Sequence, residues 1–378
     1  MTTYVLAPDS FKESLSALEA ARAMERGVHD ADPAAQAVSV PMADGGEGFA
    51  EVLGAALGAQ RIKARVHDAL GRPIEGAWWL AGRTAVIDVA TAVGLGQIPQ
   101  RQRNVMASDS TGVGELIAAA LDHGANEIII GLGGSATNDG GAGMLRALGA
   151  RFLDSSGQEL SGRPQDLSCL ASIDTTGLDA RLGTLGVRAA CDVNSPLLGP
   201  TGASAVFGPQ KGATATSVER LDSLLATLSR LAGDHGRRLA QARGSGAAGG
   251  LGWALMTFLD AQMRPGVEVV IEATELRSRL RGATALFTGE GSVDAQSVTG
   301  KTVSGLASAA ADAHLPVVVF AGRIGEGAAA LHEIGVTQLV QITPREMPLA
   351  QALPRTAELL RAAVARSVRT LSWQTPSA

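Results

Sequence analysis

Cysteine is nearly absent from this chain of 378 residues, which has only Cys169 and Cys191. Two cysteines without a CxxC spacing exclude a disulfide framework, and reduced thiols in a cytoplasmic compartment are the expectation. Aromatic residues make up 3%, with a single tyrosine, Tyr4. Charged residues are 18%, below the usual ~25%. No uncharged apolar run reaches the ~18 residues of a membrane span. The opening "MTTYVLAPDSFKES" has no basic region followed by an apolar core, so no signal peptide is expected. The formal net charge is −5 and no basic stripe is visible, which argues against a nucleic-acid partner. The six histidines fall outside the glycine-rich motifs, and His67, His123, His235 and His314 read as solvated or packed. HExxH, G-x-S-x-G and the protein-kinase HRD and DFG signatures are all missing. Lysine is scarce as well: Lys12, Lys63, Lys211 and Lys301 are the whole set. Arginine supplies the general positive charge, so a retained lysine points to a need for a compact ammonium.

Hydrophobic residues are plentiful at 46%, enough for a sizeable core, and the 47 glycines cluster between apolar segments. The length suits two domains. "TYVLAP" reads as a strand, and a helix follows from about Ser16 to His29, with Glu19 at capping-box spacing from Ser16. "QAVSVPMA" and "FAEVLGAALG" repeat the strand–loop–helix pattern of an α/β domain with a parallel sheet. Between Arg61 and Val89, short runs separated by Gly and Pro read as strands joined by tight turns. "NEIIIGLGG" is a buried strand, with a helix before it capped by Ser110 or Thr111. "SVERLDSLLATLSRLAGDHGRRLAQA" has the 3.6 period of one amphipathic helix. The C-terminal region, "ATALFTGEGSVDAQSVTGKT" onward, returns to the style of the N-terminus. The expected organisation is a discontinuous α/β domain from residues 1–64 and 285–378, with a second α/β domain, 65–284, inserted into it.

Five loops combine glycine with acids, amides or hydroxyls, each beginning where an apolar strand ends. Ligands of open α/β sheets bind there, and glycine backbone with helix N-termini favours anions. In "IIIGLGGSATNDGGAG", Gly133, Gly134, Ser135, Thr137 and Asn138 are candidate phosphate binders. Gly131, Gly133 and Ala136 also fit the dinucleotide fingerprint, with Asp154 near the position of a ribose-binding acid. An NAD(P)-dependent oxidoreductase is therefore the alternative from another class, though no placed His or Tyr proton donor supports it. In "GEGSVDAQSVTGKT", Lys301 follows Gly300 as at the end of a P-loop, but Ala295 stands where the first glycine belongs. Glu290 and Asp294 in that segment, and Asp192 in "CDVNSPLLGPTGASAVFGPQKG", are candidate Mg²⁺ ligands, with Lys211 a candidate phosphate contact. Asp9, Ser10 and Lys12 in "APDSFKES", and Asp44 and Glu47 in "PMADGGEG", are candidates for gripping a small acid.

Taken together, "APDSFKESLSA", "PMADGGEG", "IIIGLGGSATNDGGAGML", "CDVNSPLLGPTGASAVFGPQKGA", "GSGAAGGLG" and "FTGEGSVDAQSVTGKTVSG" resemble the bacterial glycerate kinase family, in order from Ala7 to Gly305. The resemblance implies two α/β domains, one flavodoxin-like and one of different topology. It implies ATP and Mg²⁺ as co-substrates, D-glycerate as acceptor and 2-phosphoglycerate as product. A kinase of another hydroxy acid, or one forming 3-phosphoglycerate, is the nearer alternative. Catalytic roles fall to Asp44, Asp192, Asp294 and Lys12. One of the three aspartates would take the hydroxyl proton. Only small-molecule partners are implied, and monomer against homo-oligomer stays open.

Overall fold

The computed structural model describes residues 2–46, 48–298 and 302–370. In chain order its strands are β1 (Thr3–Leu6), β2 (Gln36–Ser39), β3 (Gln60–His67), β4 (Pro73–Ala81), β5 (Thr84–Asp88), β6 (Glu127–Gly131) and β7 (Arg151–Asp154). β8 (Leu170–Asp174), β9 (Gly186–Ala190), β10 (Gln262–Arg264), β11 (Ala285–Val293), β12 (Val317–Ile324) and β13 (Val336–Gln341) complete the set. The chain divides into two compact units, Met1–Asp44 with Val267–Ala378, and Gly45–Gly266.

The first unit is a parallel sheet in the order β13-β12-β11-β1-β2. Numbered within the unit, that is 2-1-3-4-5, the flavodoxin-like order, with its switch point between β1 and β11. Parallel strands covered on both faces read as continuous apolar runs, which is why "YVL" in β1 and "ALFTG" in β11 are buried throughout. Phe287 and Phe320 meet edge to face at 5.4 Å in this core, among Met24, Leu360 and Val364. Helix Ala17–Ala31 starts as expected: Ser16 Oγ accepts from Glu19 N, and a Glu19 carboxylate oxygen accepts from Ser16 N. Gly27 on this helix is required by helix Thr356–Thr370, because a Cβ there would stand 2.5 Å from the carbonyl oxygen of Arg361.

The second unit is a mixed sheet, β10-β9-β6-β5-β4-β3, with β3, β4 and β5 antiparallel and β5, β6, β9 and β10 parallel. Its separate core gathers Trp78, Ile128, Ile130, Phe152, Leu225 and Trp253. The protein is thus two α/β domains of different topology, the second inserted into the first.

Several local expectations need correction. The unit boundaries fall at 44/45 and 266/267 rather than at 64 and 284. Helix Phe49–Ala56 belongs to the inserted unit, where Gly54 lies against the Trp79 ring of β4. The single long amphipathic helix is two, Ala215–Leu231 and Gly233–Leu239, broken where Gly233 takes φ +74°. Ser110 precedes helix Thr111–Asp122 but makes no side-chain cap, because its hydroxyl is committed to Asp139.

Candidate active site

In the inserted unit, β5, β6 and β9 run parallel and deliver Asp88, the Gly131–Gly134 turn and Asp192 to one sheet edge. The glycine loop after β6 is fastened from several sides. Leu95 N donates to Gly134 O (2.7 Å), Ala136 N to Val93 O (2.8 Å) and Gly133 N to Gly45 O (2.9 Å). Gly133 is forced by close packing: a Cβ there would lie 2.5 Å from Gly46 Cα. Gly134 is exposed and left-handed at φ +71°, and its N–H has no hydrogen-bond partner among the described residues. An exposed, unpartnered N–H in such a turn is the anion-binding element of a glycine-rich loop.

The side chains expected to grip phosphate lie behind this loop. Ser135, Thr137 and Asn138 are buried, and Asn138 Nδ2 donates to Ser204 Oγ (3.0 Å). Lys211 is 3% exposed, and its Nζ donates to Ser135 Oγ (3.0 Å) and to the Thr137 carbonyl (2.7 Å). Burial pulls the Lys211 ammonium down to about 7, against the opposing pull of the Asp139 carboxylate. Asp139 is fully buried and accepts from Ser110 N (2.8 Å), Ser110 Oγ (2.7 Å), Gly141 N (3.1 Å) and Gly143 N (3.0 Å). It ties the start of helix Ala142–Ala147 to that of helix Thr111–Asp122. Its pKa is raised by burial and by Asp109, while the Ser110 and Gly143 donors favour the anion.

Asp192 follows β9 and accepts from Gly266 N (3.0 Å), and Asn194 accepts from Arg243 Nε (3.0 Å). "GSGAAGGLG" backs the glycine loop: Gly140 N donates to Gly249 O, and Gly249 lies against the Thr137 carbonyl. The dinucleotide alternative loses its acid. Asp154 Oδ1 accepts from Ser156 N, Ser156 Oγ and Gln158 N, so it organises the turn after β7.

In the first unit, Asp9 lies at the carboxyl end of β1, next to β11 at the switch point. Asp9 N donates to Gly289 O (2.9 Å), and its carboxylate accepts from Thr302 Oγ1 (2.5 Å) and Ser10 N (2.6 Å). Burial, then the negative charge of Asp44, pushes Asp9 up to about 6, against those hydrogen bonds. Asp9 and Asp44 are thus brought together, while Ser10 is half-buried and Lys12 exposed. Glu290 lies on β11, and Asp294 follows it, with its N–H donating to Ser297 Oγ (3.3 Å). Glu47 and Lys301 lie outside the described residues.

Two acids escaped the sequence reading of site residues. Asp88 closes β5 and accepts from Ala50 N (3.0 Å) at the start of helix Phe49–Ala56. The strand-end rule that picked out Asp192 applies equally to "TAVID". Asp139 follows the candidate phosphate binders directly, and nothing in its spacing marks four-fold backbone and hydroxyl coordination.

The glycerate kinase family model matches residues 4–372. The chain belongs to that family. It is 47% identical over 359 residues to a glycerate kinase of Bacillus subtilis, 94% of each chain. It is 44% identical over 344 residues to a glycerate 2-kinase of Escherichia coli, covering 89% of this chain and 90% of the relative. A crystal structure from Salmonella typhimurium LT2, provisionally named glycerate kinase 2, superposes with a TM-score of 0.86 at 42% identity over 98% of both chains. As a family member the protein is an enzyme, a kinase, and its mixed α/β architecture is that of a solved relative.

Proposed function

We propose that this glycerate kinase family member transfers the γ-phosphoryl group of ATP to the 2-hydroxyl of D-glycerate, giving 2-phosphoglycerate and ADP. The observation that carries the reading is the fastened glycine loop after β6, whose exposed Gly134 has an unpartnered N–H among the described residues at the carboxyl edge of parallel strands. Phosphoryl transfer asks the protein chiefly for positioning and charge stabilisation, and a rigid backbone cradle supplies both. The E. coli relative named glycerate 2-kinase supports the 2-hydroxyl as acceptor.

In this reading Gly134 meets the ATP phosphates with its backbone N–H, and Gly133, Ser135, Thr137, Asn138 and Lys211 hold the loop in place. Lys301 is a further phosphate contact. Asp9, Ser10, Lys12, Asp44 and Glu47 orient glycerate. One of Asp44, Asp192 or Asp294 takes the hydroxyl proton, and Asp9, a neighbour of Asp44 pushed up to about 6, is a fourth acid suited to that proton transfer.

Among the described residues no three His, Cys, Asp or Glu side chains converge into a metal cage. Mg²⁺ keeps waters and takes one or two carboxylates along with substrate phosphates, so it needs no such cage. Asp192, Glu290 and Asp294 are the candidates, one or two of which are proposed to hold it. Bound with ATP, the ion would neutralise charge on the phosphate oxygens.

Release of ADP tests the reading. It should require D-glycerate and Mg²⁺ together, and Asp192→Asn and Lys301→Ala should each lower turnover by ~10²–10⁴-fold. Near wild-type turnover in both variants would remove these two residues from the machinery. NAD(P) binding without ADP release would return the glycine loop to the dinucleotide class.

A further inference from the structure

Lys211 is one of four lysines, and its sequence context marks it as a phosphate contact. Its surroundings give it a different task. The turn Pro209–Lys211 is fixed on both flanks of the lysine. Arg103 Nη1 donates to Gln210 O (3.0 Å), and Gly212, at φ +94°, packs so closely on Arg103 that a Cβ would stand 2.5 Å from its carbonyl oxygen. Arg103 Nε also donates to Ile98 O (3.3 Å), just after the Val93–Leu95 segment that clasps the loop from the other side. The lysine side chain then runs inward, is 3% exposed, and ends on Ser135 Oγ and Thr137 O. Thr137 and Asn138 beside it are fully buried.

We propose that Lys211 is the positioning residue of the phosphate loop: its ammonium clamps Ser135 and Thr137, so that the backbone of the exposed Gly134 is held in one conformation, and it does not itself touch the nucleotide. This rests on the reading of that loop as the ATP-phosphate cradle. Two features set a clamp apart from a direct ligand. Two of the three ammonium donors go to one hydroxyl and one carbonyl of the loop in a side chain that is 3% exposed, and both acceptors lie between the lysine and the exposed glycine in the chain. A backbone carbonyl held by a buried cation fixes the peptide plane on which the rest of the turn is built, and leaving such a carbonyl unpaired is costly. Asp139 is the charged group facing the lysine, and its carboxylate is already filled by four donors. The lysine is thereby left to serve the loop.

The test uses the full chain as wild type, Lys211→Met, Ser135→Ala and Gly134→Ala, read first by amide hydrogen exchange without nucleotide and then by steady-state kinetics. Lys211→Met should speed exchange across 131–140 by about tenfold or more while helix Ala215–Leu231 stays protected. It should raise the KM for ATP about tenfold and leave the KM for D-glycerate within about twofold. Ser135→Ala removes one acceptor only and should give smaller changes of the same kind; it keeps the proposal testable if Lys211→Met does not fold. Unchanged exchange across 131–140 with weakened ATP binding would make Lys211 a direct phosphate ligand and overturn the proposal. So would a Ser135→Ala protein indistinguishable from wild type in both readouts. Gly134→Ala separates this from the underlying reading: if ATP affinity survives that change, the loop is not the cradle, whatever exchange says of Lys211.

Discussion

Asp9 joins stability to activity in a way that pH separates. Its folded-state pKa is pushed from the ordinary 3.8 up to about 6 by burial and by Asp44. The folded protein therefore binds this proton more tightly than the unfolded chain does. The associated stability is fully present below about pH 4 and is lost as pH rises through about 6. At pH 7.5 the ionised group is a liability. Asp9→Asn, which keeps one oxygen to accept from Ser10 N and can turn its amide nitrogen to donate to Thr302 Oγ1, should raise the melting temperature there by the equivalent of about 1–3 kcal/mol. At pH 4 the two proteins should melt alike, and thermal unfolding at the two pH values checks this. The same variant should lose ~10²–10⁴-fold in turnover, and wild-type turnover should fall as pH drops below about 6. A pH-independent stability difference would mean that Asp9 carries no such burden.

At the scale of elements, the glycine loop depends on two others pressed against it. The segment Ala247–Gly250 brings Gly249, at φ +69°, to where an added Cβ would sit 2.1 Å from the Thr137 carbonyl oxygen. Gly249→Ala therefore strains its own backbone and displaces the carbonyl that Lys211 holds. We expect a loss of about 1–3 kcal/mol in denaturant unfolding, with weaker ATP binding in the protein that remains folded. Gly133→Ala should do the same from the other side, through Gly46. Sequence made the existence of these loops legible, because each is a glycine cluster at the end of an apolar strand. It did not reveal which faces of them are buried. "SATND" looks like a row of ligand-facing polar groups, yet Ser135, Thr137 and Asn138 point into the protein. Nothing in a linear pattern distinguishes polar groups that meet a ligand from those that satisfy one another.

For the molecule as a whole, strand style proved informative. The likeness between the two ends of the chain reflects one five-stranded parallel sheet, and the run of short strands from Gln60 to Asp88 reflects the antiparallel part of the other. Boundaries were harder to see, because helix Phe49–Ala56 continues the N-terminal strand–loop–helix rhythm while packing on β4 and β5. Each unit has its own apolar core. A fragment spanning 45–266 should therefore unfold cooperatively on its own, and a broad, non-cooperative thermal transition would contradict that. Phosphorus NMR of the product made from ATP, Mg²⁺ and D-glycerate is the most direct measurement of the central claim. The account predicts 2-phosphoglycerate with one equivalent of ADP. A 3-phosphoglycerate signal would move the acceptor hydroxyl, and no phosphorylated glycerate at all would contradict the account.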